Sequence, residues 1–111
     1  MDNELIIKIG DKELRFKLKS QTIVSLEKIF GKNIFEIFRT LSFTTTQRVF
    51  FESLVNKTDV IDADDMMDLL LQKHDLLELG NNLLQELAVK SGIIKKSDLD
   101  EEESLEEIKN D

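Results

Sequence analysis

Apolar and polar side chains alternate between residues 4 and 19. Leu5, Ile7 and Ile9 stand at every second position, and so do Leu14, Phe16 and Leu18. Glu13, Arg15, Lys17 and Lys19 occupy the positions between. A strand turns successive side chains to opposite faces, so this period predicts a hairpin with one apolar face. Gly10-Asp11 supplies the turn, because glycine tolerates positive φ and aspartate bonds its own backbone. A two-residue loop pairs Ile7 with Leu14, and a four-residue loop pairs Ile9 with Leu14. Both registers keep the apolar faces together. Two strands alone are marginal in water, so this face must lie on helices or on another chain.

The period then changes to that of helices. Ser20 is placed to cap a segment carrying Ile23, Leu26, Ile29 and Phe30, and Gly31 stands where a left-handed C-cap belongs. Asn33 caps a short helix with Ile34, Phe35, Ile37, Phe38 and Leu41. Thr44, with Gln47 three residues on, has the pattern of a capping box. That third helix runs to about Val55 and carries Val49, Phe50, Phe51 and Leu54, and residues 56–59 read as a loop. Asp62 caps a fourth helix, with Asp64, Asp65 and Asp68 near its positive end and Met66, Met67, Leu69, Leu70 and Leu71 as its apolar residues. Asp75 caps a last helix through about Ser91, with Leu76, Leu77, Leu83, Leu84, Leu87 and Ala88, and Gly92 stops it.

The fold class expected is α+β and mainly helical, an N-terminal β-hairpin packed on a bundle of about four to five short helices. Residues 1–92 form one domain, with the hairpin at 4–19 and helices over about 21–91. Residues 93–111 are dominated by acid and serine, and are expected to be a disordered tail or a frayed turn. The apolar residues exceed one core contact. Those of the fourth helix spread over about 200°, whereas a single contact needs a stripe nearer 100° wide. Either these helices pack on both flanks or part of the surface meets a partner. Phe50, Phe51, Leu54, Met66, Met67 and Leu70 are the candidates for such a surface, since the unbranched thioethers of Met66 and Met67 repack easily.

Composition narrows the function. The 111 residues contain no cysteine and one histidine, His74, which excludes disulfides and thiolate metal sites and leaves too little histidine for a conventional metal centre. No apolar run approaches the ~20 residues of a membrane helix. The acidic N-terminus is unlike a secretory signal, so an intracellular, soluble domain is expected. Net charge is −8 and uneven. Residues 1–60 carry 10 basic and 8 acidic side chains, residues 61–92 carry 2 and 7, and residues 93–111 carry 3 and 8. Such a surface repels phosphate backbones, so no nucleic acid partner is expected.

Catalytic chemistry is not apparent in the sequence. Gly10, Gly31, Gly80 and Gly92 are isolated and make no phosphate loop. Ser53, His74 and Asp75 do not form a triad, because neighbours on a helix do not face each other. Asp62, Asp64, Asp65 and Asp68 lack the turn glycine and distal glutamate of an EF-hand, and helix-start acids explain the run. No enzyme, no cofactor and no metal is expected.

The segment from Leu26-Glu27 through Gly31-Lys32 to Ile34–Leu41 resembles the tail assembly chaperones of long-tailed phages and of phage-derived gene transfer agents. The order of elements resembles theirs over residues 4–92: a hairpin, a helix ending in Leu-Glu and Gly-Lys, a short apolar helix, an apolar helix, an acidic helix start and a leucine-rich helix. The threonine-rich Ser42–Thr46 departs from the pattern, as does the lack of a long acidic helix past Gly92. The resemblance implies a chaperone that binds and solubilises the tape measure protein and helps recruit the tail tube protein. It implies action in the cytoplasm of a bacterial host and absence from the mature virion. Self-association is compatible with it, and no membrane partner is implied. The charge gradient alone supports a different class, a small acidic regulator that occupies a basic partner surface.

Overall fold

The computed structural model describes residues 3–40, 42–57 and 62–95. Strands β1 (Leu5–Ile9) and β2 (Lys12–Phe16) pair antiparallel, with Ile7 opposite Leu14 and Ile9 opposite Lys12. Gly10-Asp11 therefore makes the turn alone, the tighter of the two registers open to the alternation. Gly10 takes a φ of 62°, where a side chain would be strained. Leu5, Ile7, Ile9, Leu14, Phe16 and Leu18 are all buried, as the alternation requires.

The hairpin is extended by a third piece of chain. Val55 donates its N–H to the Arg15 carbonyl at 2.7 Å, and Lys17 donates to the Ser53 carbonyl at 2.8 Å. The Asn56 side chain continues this ladder. Its oxygen accepts from Arg15 N–H at 3.0 Å and its amide donates to the Glu13 carbonyl at 2.8 Å. An asparagine side chain here does what the next residues of a strand would do, so the outer edge of β2 is satisfied.

Helix α1 (Ser20–Phe30) begins with Lys19 as its N-cap, and Ser20 is already helical without capping through its side chain. Leu18 is buried and its N–H donates to Ser91 Oγ at 2.9 Å, so the chain stays extended up to Lys19. Helix α2 (Ile34–Arg39) follows as expected behind Asn33. Helix α3 (Phe43–Ser53) is capped by Ser42, not Thr44: the Ser42 hydroxyl accepts from Thr45 N–H at 3.1 Å. Gln47 closes no capping box and donates to Asp64 on the next helix at 2.8 Å. The threonine-rich stretch is thus the first turn of a helix, with Thr45 and Thr46 facing inward. The helix ends at Ser53 because Leu54 and Val55 are taken up by β2.

Helix α4 (Ala63–Leu70) starts at Asp62, whose carboxylate accepts from Asp65 N–H at 2.9 Å. Asp75 caps the last helix by accepting from Glu78 N–H at 2.8 Å. That helix is not uniform. Residues 78–83 (Glu78–Leu83) form a π-helical segment before α5 (Leu84–Lys90), and Leu84 donates to the Leu79 carbonyl five residues back. In an α-helix, positions five apart lie about 140° from each other. The π turn brings Leu79 and Leu84 into the core together, at the weak helix formers Gly80-Asn81-Asn82. Leu77, expected among the core residues, is 60% exposed.

The fold is α+β and mainly helical, a hairpin packed on a helical bundle. Helix α3 packs against both α1 and α4, and α5 covers β1. The Phe16 and Phe50 rings meet edge to face at 5.1 Å, joining β2 to α3. Ile93 packs on the core and its N–H donates to Ala88 at 2.9 Å, so the packed chain runs past Gly92. The expected acidic tail from residue 96 onward, and residues 58–59 of the expected loop, lie outside the described residues. Among the described residues, no helix is long and apolar enough to cross a membrane.

Two predictions follow from the core. Phe50 is fully buried against Phe16, so Phe50→Ala is expected to destabilise the fold by about 3–5 kcal/mol in urea unfolding. Thr46 Oγ1 is buried without a hydrogen-bond partner. Thr46→Val keeps the branched shape and removes that hydroxyl. It should leave stability unchanged or raise it by about 1 kcal/mol in the same measurement, and a clear loss would show that the hydroxyl has a partner.

Candidate functional site

The six residues expected to meet a partner fall mainly inside the molecule. Phe50, Met66 and Leu70 have no exposure, Met67 has 1% and Leu54 has 4%. Phe51 is half-buried, with the Lys57 ammonium 5.3 Å above its ring. The broad apolar faces of α3 and α4 are explained by packing on more than one flank. All of these residues but Phe51 are core, and the adaptable methionines fill its centre. An accessible binding surface must be sought elsewhere.

Large apolar side chains do stand in the open on α1 and α2. Val24 and Ile29 on α1 and Phe35 on α2 are each about half exposed, at 49%, 50% and 50%. A shallow concavity of about 420 Å³ lies beside Val24, lined by Ser20, Gln21 and Ser25. Val24 and Ile29 are five apart and so stand about 140° from each other around α1. Phe30 and Phe38 are partly buried and pack against the core.

The corner between the two helices is built by the residues of the Leu-Glu and Gly-Lys pattern. Gly31 ends α1 at φ 64° and donates its N–H to the Glu27 carbonyl at 2.8 Å. The Glu27 carboxylate reaches across the turn and accepts the Ile34 N–H at 2.9 Å. Asn33 accepts from Glu36 N–H at 3.0 Å and donates to the Glu36 carboxylate at 2.6 Å. The free N–H groups at the start of α2 are therefore met by two side chains, and the helix is too short to hold itself. Leu26 anchors the corner from below with no exposure. This corner joins the last turn of α1, which carries Ile29, to the first turn of α2, which carries Phe35.

The charge here is basic. Residues 19–40 carry Lys19, Lys28, Lys32 and Arg39 against Glu27 and Glu36, and both acids are engaged at the corner. Exposed apolar residues in a basic stretch of chain suit a helix whose apolar stripe is flanked by acids.

Other arrangements offer less chemistry. Ser53 donates to the Phe50 carbonyl at 3.1 Å and is buried, His74 Nδ1 lies 2.8 Å from the Glu78 carboxylate, and Asp75 is the helix cap. The three are not assembled into a triad. Among the described residues, no group of acids and histidine is placed to hold a metal ion. A polar depression of about 560 Å³ beside β2 is lined by Asp11, Lys12, Glu13, Arg15 and Asn56, whose mixed charges select no ligand of one sign. Comparison with protein-family models, curated proteins and solved structures returns no match to this chain.

The two surfaces can be told apart by substitution. Met67→Glu puts a charge into the packed centre and is expected to unfold the protein, read as loss of the cooperative thermal transition. Phe35→Glu lies at the surface and should keep that transition within a few degrees.

Proposed function

We propose that this chain is a phage or prophage tail assembly chaperone, a binding protein without catalysis. It binds and solubilises the tape measure protein and helps recruit tail tube subunits. It acts in the cytoplasm of the bacterial host and is left out of the mature virion. One observation carries the reading. The segment that resembles the chaperones also forms the α1–α2 corner and holds Ile29 and Phe35 half exposed, with Val24 half exposed just before it on α1. A long helical client offers apolar stripes that would otherwise aggregate, and a helix laid on an apolar surface is a standard mode of recognition. Many weak copies along one client gain by avidity. The acid of residues 61–111 then keeps the coated complex soluble.

The acid also supports a second reading, a regulator that sits on a basic partner. Asp62, Asp64 and Asp68 are exposed on or beside α4, which favours such a contact.

The two readings differ in what binding depends on. Under the chaperone reading, tape measure protein co-expressed with this chain should co-purify and stay bound near 1 M salt, where screening acts within about 3 Å. Val24→Glu with Phe35→Glu should abolish that capture while the protein stays folded. Capture that disappears with salt and ignores both substitutions would reject the chaperone reading in favour of the regulator.

A further inference from the structure

The hairpin has two edges, and they are not treated alike. The outer edge of β2 is covered by residues 53–56. Among the described residues, β1 has β2 as its one strand neighbour. The tight turn makes Ile9–Lys12, Ile7–Leu14 and Leu5–Phe16 the hydrogen-bonded pairs, so the backbone groups of Ile6 and Lys8 point away from β2. Among the described residues, no backbone partner meets the N–H of either residue. The Ile6 side chain is 45% exposed on the outer face of the same strand.

We propose that this edge pairs with the β1 edge of a second copy of the chain, antiparallel, about a two-fold axis at Ile6. The sequence around Ile6 selects this register. It sets Ile6 against Ile6 of the second copy, Lys8 against its Glu4, and Glu4 against its Lys8. Moving the axis to Lys8 would oppose two ammonium groups, and moving it to Glu4 would oppose two carboxylates. Directly opposed like charges destabilise a sheet and unlike charges stabilise it. Lys8 already lies opposite Glu13 within the hairpin. The joined sheet therefore alternates in charge across the strands, from Glu13 to Lys8 to Glu4 of the second copy. On the inner face, Leu5 comes opposite Ile7 of the second copy, and the apolar layer continues across the axis. A lone lysine on an edge strand ordinarily discourages pairing. Here the antiparallel copy brings it a carboxylate.

Two side chains must adjust, and the first is the Glu4 carboxylate, which pairs with Arg15 of its own hairpin at 3.7 Å. Lys73 donates to the Lys8 carbonyl at 3.1 Å from an exposed position. That oxygen has a second lone pair, and the lysine stem is free to turn aside. Two backbone hydrogen bonds then join the copies at Ile6, and four more form between residues 4 and 8 once Glu4, just before β1, extends the strand. The contact is small beside the roughly 1,200–2,000 Å² of a stable complex, so the pairing is reversible and concentration-dependent.

Analytical ultracentrifugation of the full chain tests this, alongside hydrogen exchange at the Ile6 amide. Wild type should pass from monomer toward dimer as concentration rises to about 1 mM, with exchange at Ile6 slowing in step. Glu4→Lys and Lys8→Glu should each weaken the dimer about tenfold, because two symmetric pairs become repulsive at once. The double variant Glu4→Lys/Lys8→Glu should recover wild-type association. Circular dichroism confirms that each variant keeps the monomer fold. A protein that stays monomeric throughout overturns the proposal. So does a dimer indifferent to both single variants, and so does a double variant as weak as either single one.

Discussion

The structure depends on a two-stranded sheet that cannot stand by itself. Its inner face carries six apolar side chains, from Leu5 to Leu18, and a hairpin of this size is marginal in water until that face is covered. The chain covers it from two directions. The Phe50 ring of α3 meets Phe16, and α5 lies on β1. The end of α3 then turns back along β2, where Ser53, Val55 and Asn56 complete its hydrogen bonds. Because α3 both packs on the hairpin and feeds its edge, the two parts hold each other in register. That coupling explains why α3 ends where it does.

The same constraint accounts for the broad apolar faces of the later helices. Helix α3 sits between α1, α4 and the sheet, so apolar residues are needed on several of its sides. Helix α4 gives Met66, Met67 and Leu70 to the centre of the molecule. The last helix needs a local change of winding to do likewise, and the π turn at Gly80-Asn81-Asn82 supplies it. With these faces spent inside, apolar residues are left in the open on α1, α2 and the outer side of β1, and also at Phe43, Val55, Leu71 and Leu77. Those of α1, α2 and β1 lie where the chain carries basic charge, while the acid is concentrated beyond residue 60. Surfaces of opposite character are thus available on one small protein, which suits a protein that works by contact.

The α1–α2 corner shows how one set of residues can bear on both fold and contact. Glu27, Gly31 and Asn33 each satisfy backbone groups at the turn, and those bonds fix the junction between the helices that carry the exposed Ile29 and Phe35. The pattern that resembles the chaperones is therefore also a scaffolding pattern. Its residues need not touch a client to shape the surface that does.

What the sequence determined by itself is the local chemistry. Alternation located the hairpin, and Gly31, Asn33, Asp62 and Asp75 marked helix ends, because a turn or a cap is decided by residues within one turn of each other. Two starts shifted, Ser20 to Lys19 and Thr44 to Ser42, by one or two residues, the margin within which helix ends vary. The candidate site was not legible. Phe50, Met66 and Met67 read as surplus apolar surface, while Val24 and Phe35 drew no notice among similar residues. Only the tertiary structure decided which apolar face looks outward. Burial is set by what packs on each flank of a helix, and residues far apart in the chain supply that packing.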